Sequence, residues 1–284
     1  LVAKHRNVLR ERKWPTVLTP HDGEFLRLGY SIGDDRHSAA VNAARGVAVQ
    51  LNGAVQGFVT NFMTAVNPQI TKSYASGDMG YLFPLLRRSS RMSYYLLFMI
   101  ALPILFNTEY LMGVWLKDVP EHASLFVKLF LVFALSESIS NPLITAMLAT
   151  GRIRNYQLAV GGLQLLNIPV SYVCLKLGAM PEITVVVAII ISQICFFVRL
   201  LMLKKMIGLE TGRYLREVYL NVIAVTIVSL VVPMLVFRSL PSDFIGFCAS
   251  VTICVLSALV SVIFVGFKGE ERKELINYIR RVMK

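Results

Sequence analysis

The chain of 284 residues is 55% hydrophobic and only 16% charged, with a net charge of +12 and a mean hydropathy of +0.61. That balance excludes an ordinary soluble domain and predicts an all-α integral membrane protein; the basic excess lies between apolar runs, where it suits anionic headgroups and membrane orientation rather than nucleic acid. Cys174, Cys195, Cys248 and Cys254 fall inside apolar runs with no CxxC and no nearby histidine, which argues against a zinc centre or disulfide framework and reads as packed thiols.

Residues 1–38 hold seven Lys or Arg and five Asp or Glu, so nothing in them can span a bilayer. They form a polar N-terminal segment that opens on Leu1 without the basic-then-apolar order of a signal peptide, which predicts a fragment or a processed start. A transmembrane helical domain follows over 39–267. Windows of roughly 20 mostly apolar residues place seven spans near 40–66, 92–112, 123–149, 157–177, 183–203, 218–237 and 244–267.

The first span is the most polar. Projected at 100 degrees per residue, Asn42, Arg45, Asn52 and Gln56 share an arc of roughly 80 degrees, with Thr60 at its edge and Gly46, Gly53 and Gly57 in the strip beside it. Small residues at this spacing predict close approach of another helix. An arginine at the centre of a membrane helix costs about 2.5 to 3.5 kcal/mol, so Arg45 either faces a wet cavity or lies near enough to the outer end to snorkel into headgroups.

The second span is broken by Pro103 and leads into Tyr110 and Trp115, aromatic residues of the kind that sit at a membrane boundary. The third holds Lys128, then LSESISNPLITAMLATGR, where Glu137 and Asn141 are four residues apart on one helical face and Pro142 interrupts the helix. Broken polar spans are a feature of transporters. Glu137 is a proton carrier, a partner for Arg45 or Lys128, or a structural hydrogen-bonding group. The basic tail 268–284 places Leu275, Ile279 and Val282 on one face, an amphipathic helix on the inner leaflet or a solvated charged tail.

Lys and Arg number seventeen in the segments 71–91, 151–156, 199–217 and 268–284, against three (Lys117, Lys176, Arg238) in the alternate set. That bias predicts a cytoplasmic C-terminus and a first span running from outside to inside. No HExxH, paired-aspartate, GxSxG or P-loop motif occurs, so the reading is a transporter rather than an enzyme, with no cofactor and no metal.

Residues AVNAARGVAVQLNGAVQGFVTNFMTAVNPQITKSYASGD, with SESISNPLITAMLATGRIRNYQ and GGLQLLNIPVSY further on, carry a family resemblance. Over about residues 39–284 the chain resembles bacterial O-antigen and capsular polysaccharide flippases of the multidrug/oligosaccharidyl-lipid/polysaccharide exporter superfamily. The resemblance implies a two-lobe transporter of 12 to 14 helices around a central cavity, of which this chain matches the part from the eighth helix onward. Residues 1–38 depart from that pattern; a shifted reading frame or misassigned start accounts for them, with a soluble outer segment as the alternative.

The resemblance further implies translocation of undecaprenyl-diphosphate-linked oligosaccharide units across the bacterial inner membrane by alternating access. Arg45 would meet the diphosphate while Asn42, Asn52 and Gln56 line the cavity, and Glu137, Asn141 and Lys128 serve as coupling or cavity residues. Implied partners are the lipid-linked oligosaccharide, membrane lipids, and polysaccharide polymerase and chain-length proteins. Alternatives are an exporter of cationic drugs with the same fold, and a non-transporting scaffold or inactive gene fragment.

Overall fold

The computed structural model describes residues 36–115, 122–241, 243–267, 269 and 271–273, and every regular element in them is helical. Nine helices follow in chain order: α1 (Arg36–Ala75), α2 (Met79–Phe106), α3 (Thr108–Trp115), α4 (Ala123–Ser138), α5 (Asn141–Ala149), α6 (Ile153–Lys176), α7 (Ile183–Ile207), α8 (Thr211–Val236) and α9 (Phe244–Gly266).

Five of these, α2, α6, α7, α8 and α9, are long and apolar enough to cross a membrane. The pair α4 and α5, bent by 40° at its break, makes a sixth span when taken together. At 40 residues α1 has length to spare, but its amides and glycines keep its hydropathy below that of a typical span. All seven predicted spans therefore coincide with helices, the first on length alone.

The helix ends follow from local chemistry. Gly77 adopts a left-handed φ of 73° after α1, and Asp78 caps α2 by accepting the Tyr81 amide at 2.9 Å. Gly208, with φ 75°, ends α7 just past Lys204 and Lys205, which complement the negative end of the helix. Asp243 caps α9 through the Gly246 amide at 2.8 Å. Pro142 sits in the first turn of α5, where its missing N–H leaves no bond unmade, so the chain bends instead of breaking its ladder within a helix.

The second span is longer than the apolar window suggested. Residues 79–91, expected as a basic loop, form the first turns of α2, and Arg87 and Arg91 are buried. Pro103 lies within the last turn of α2, which ends at Phe106 and gives way to α3 at Thr108.

α1 packs against α2, α4 and α5; α4 meets α7; α2 meets α9, which pairs with α8; and α6 rests on α7. The core is Ile70 of α1, Leu82, Leu86, Leu97 and Leu102 of α2, Phe126 and Leu131 of α4, and Cys195, Phe196 and Leu200 of α7. The outer helices leave apolar surface uncovered, including Leu220, Ile227, Val231 and Leu235 of α8 and Leu158, Leu165 and Ile168 of α6. A continuous apolar exterior of this size is stable against hydrocarbon, not water.

Candidate transport site

Along α1, Ala48, Val55, Val59, Met63, Val66 and Ile70 recur at helical spacing and are buried against the bundle. The polar residues flank that stripe. Asn52 and Gln56 are half-buried, Gln50, Thr60, Asn61 and Thr64 are exposed, and Asn52 Oδ1 is buried with no hydrogen-bond partner among the described residues. Asn42 and Arg45 belong to the same helix, but their side chains lie outside the described residues.

The glycine strip differs from expectation. A Cβ placed on Gly46, Gly53 or Gly57 would meet nothing within 4 Å, so among the described residues no helix covers the strip. Near the other end of α1, Asn67 Oδ1 accepts the Thr145 hydroxyl of α5 at 2.7 Å, which ties the broken span to this helix.

Glu137 is not partnered by Lys128, and a pairing with the Arg45 side chain lies outside the described residues. Glu137 Oε1 accepts the Ser192 hydroxyl of α7 and stands 4.0 Å from Arg199 Nη1. Arg199, assigned from charge counting to an inner loop, lies inside α7 with 2% exposure, and Glu137 supplies its counter-charge across the α4–α7 interface. The 40° bend falls between Glu137 and Asn141, so the two do not share one continuous helical face as the spacing implied; Asn141 is half-buried at the start of α5. Lys128 pairs instead with Glu109 of α3 at 3.6 Å.

A second polar layer, unforeseen from the sequence, joins α2 to α8 and α9. Arg87 pairs with Glu217 at 2.8 Å, and Arg91 with Glu271 at 2.6 Å. π-helical turns at Leu215–Tyr219 and Val262–Gly266 accompany it; such turns free backbone carbonyls for outside donors. Gly266 O accepts Arg91 Nη1 at 3.0 Å and Val265 O accepts Asn221 Nδ2 at 3.1 Å. Tyr214 donates to Ser90 Oγ at 2.6 Å, and Tyr95 donates to Asn221 Oδ1. The sequence signal that could have found this layer is that Glu217 and Glu271 are acids amid basic segments.

Two of the cysteines, Cys195 and Cys254, are buried, Cys174 is half-buried and Cys248 is exposed on α9. Among the described residues no three His, Cys, Asp or Glu side chains gather so as to hold a metal.

The apolar exterior and helix lengths define a multi-pass helical membrane protein. Comparison with known protein families, with characterised proteins and with solved structures returned no match to this chain.

Proposed function

We propose that the chain belongs to a flippase of lipid-linked oligosaccharides, in which α1 lines the substrate path and faces a second lobe. The observation that supports this is the side of α1 that stays open beside its buried stripe: exposed Gly46, Gln50, Gly53 and Asn61 with half-buried Asn52 and Gln56, interspersed with exposed Val49 and Phe58. Hydrocarbon is a poor medium for such a surface, whereas a hydrated cavity lets the amides bond sugar hydroxyls and the glycines admit close neighbours. In this reading Arg45 meets the diphosphate, the membrane is the bacterial inner membrane, and the C-terminus is cytoplasmic.

The cationic-drug alternative needs a free carboxylate in the cavity. Glu137 is engaged by Ser192 and Arg199, which weighs against it.

The test is residues 39–284 joined to the first lobe of a polysaccharide flippase in a translocase-deficient strain, with surface polysaccharide measured at equal expression. Arg45→Glu should reduce export by about tenfold or more, the loss expected for a charged hydrogen bond. Unchanged export would remove Arg45 from the site. Restoration by residues 39–284 alone would sink the two-lobe reading.

A further inference from the structure

A cavity of about 610 Å³ lies where α2 passes into α3, beneath the α8–α9 turn. Its polar lining is Asn107, Glu109, Lys128, Asp243 and Ser250, and its apolar walls include paired aromatic rings. The volume falls in the range of small-molecule sites, and the lining carries charges of both signs in a partly apolar hollow.

Its depth is set by α2. Asn107 is sixteen residues beyond Arg91, roughly 24 Å along a helix, so the cavity sits at the opposite membrane boundary from the Arg87–Arg91 layer. At that boundary the bilayer presents phospholipid headgroups.

Three of the polar groups are held in place by the fold. Asn107 Nδ2 donates to Pro103 O at 2.9 Å and to Ser250 Oγ at 3.0 Å, joining α2 to α9. Gly246 has no room for a Cβ, which would stand 1.8 Å from Pro241 O, so the turn closes tightly over the cavity. Asp243 gives one oxygen to the Gly246 amide, and a carboxylate accepts further donors.

The rings build one wall of the cavity. Tyr110 and Phe247 stack with centroids 4.7 Å apart, and Phe106 meets Phe237 at 5.5 Å. These pairs form the apolar wall and leave recognition of a ligand to the polar side chains. Lys128 and Glu109 stand 3.6 Å apart and are partly to largely exposed, a weak pair that a ligand bearing both signs can replace, with Asp243 also in the lining.

We propose that this cavity binds the headgroup of a zwitterionic phospholipid bearing a primary ammonium and a phosphodiester. Lys128 takes the phosphate, Glu109 and Asp243 take the ammonium, and the aromatic walls take the glycerol region. The site stands independently of the flippase reading, since it requires only that the bundle be embedded in a bilayer.

The experiment is native mass spectrometry of the purified chain in detergent, titrated with dioleoyl-phosphatidylethanolamine, dioleoyl-phosphatidylglycerol and dioleoyl-monoglucosylglycerol. One molecule of the ethanolamine lipid should be retained about threefold or more tightly than either competitor. Lys128→Ala and Glu109→Gln should each reduce that retention by up to about fivefold, the scale of partly exposed charge contacts. Arg213→Ala, at the other boundary, should leave it unchanged. Equal retention of all three lipids, preference for the glycerol or glucosyl lipid, or retention indifferent to both cavity substitutions overturns the proposal. Should a cavity variant fail to yield monodisperse protein, competition among the three lipids on the unsubstituted chain still decides.

Discussion

Arg199 is almost wholly buried, and the carboxylate of Glu137 supplies its counter-charge from the facing helix. Removing one member of a buried pair leaves an uncompensated charge, at a cost of about 3 to 5 kcal/mol, while replacing both with apolar residues of similar volume is often neutral. Glu137→Ala and Arg199→Ala should each therefore lower the thermal midpoint of the purified chain well below that of the Glu137→Leu/Arg199→Met double variant. Equal losses in all three would show that no pairing energy is involved. Glycines divide along the same physical line. Gly246→Ala forces a backbone clash with Pro241 and should destabilise by about 1 to 3 kcal/mol. Gly53→Ala meets open space, and in this chain alone should be neutral or stabilising by up to about 1 kcal/mol through helix propensity. A loss of stability in Gly53→Ala comparable to that in Gly246→Ala would mean that the strip is covered after all.

At the scale of elements, α2 shows how far pairing can override hydropathy. A window average treats Arg87, Arg88 and Arg91 as a loop, yet Glu217 on α8 and Glu271 beyond α9 allow the helix to begin at Met79. Glu271 neutralises a side chain with 5% exposure, so the first residues of the tail brace the α2–α9 contact. Ending the chain at Phe267 should destabilise it by about 3 kcal/mol, read as a fall in thermal midpoint, with Glu271→Ala reproducing most of the loss. If Glu271→Ala were harmless, the bracing would have to come from elsewhere in the tail. The broken span was foreseen at Pro142; its partners were not. Both Glu137–Arg199 and Thr145–Asn67 join residues more than fifty positions apart, beyond the reach of any local pattern.

For the whole molecule, the turns fall into two sets: Ser76, Arg152 and Glu210 at one end, and Ala179 and Ser239 at the other, all exposed. The proposed orientation makes the first set cytoplasmic. In a variant lacking the four native cysteines, a membrane-impermeant thiol reagent applied to intact spheroplasts should label Ala179→Cys and Ser239→Cys, but Ser76→Cys and Glu210→Cys only after lysis. The reverse pattern would invert the topology.

By itself the sequence determined the all-helical membrane class, the positions of the five to six apolar spans and the break at Pro142, because each follows from composition or from a periodicity within one segment. Only the tertiary structure decided which charges are buried and with whom, that the glycine strip of α1 is left uncovered by the described helices, and that Lys128 pairs with Glu109 in the lining of a cavity rather than with Glu137. The physical reason is range. Hydropathy and helical period act between neighbours along the chain, whereas the cost of burying an arginine is set by a carboxylate from another helix, and only packing brings the two together.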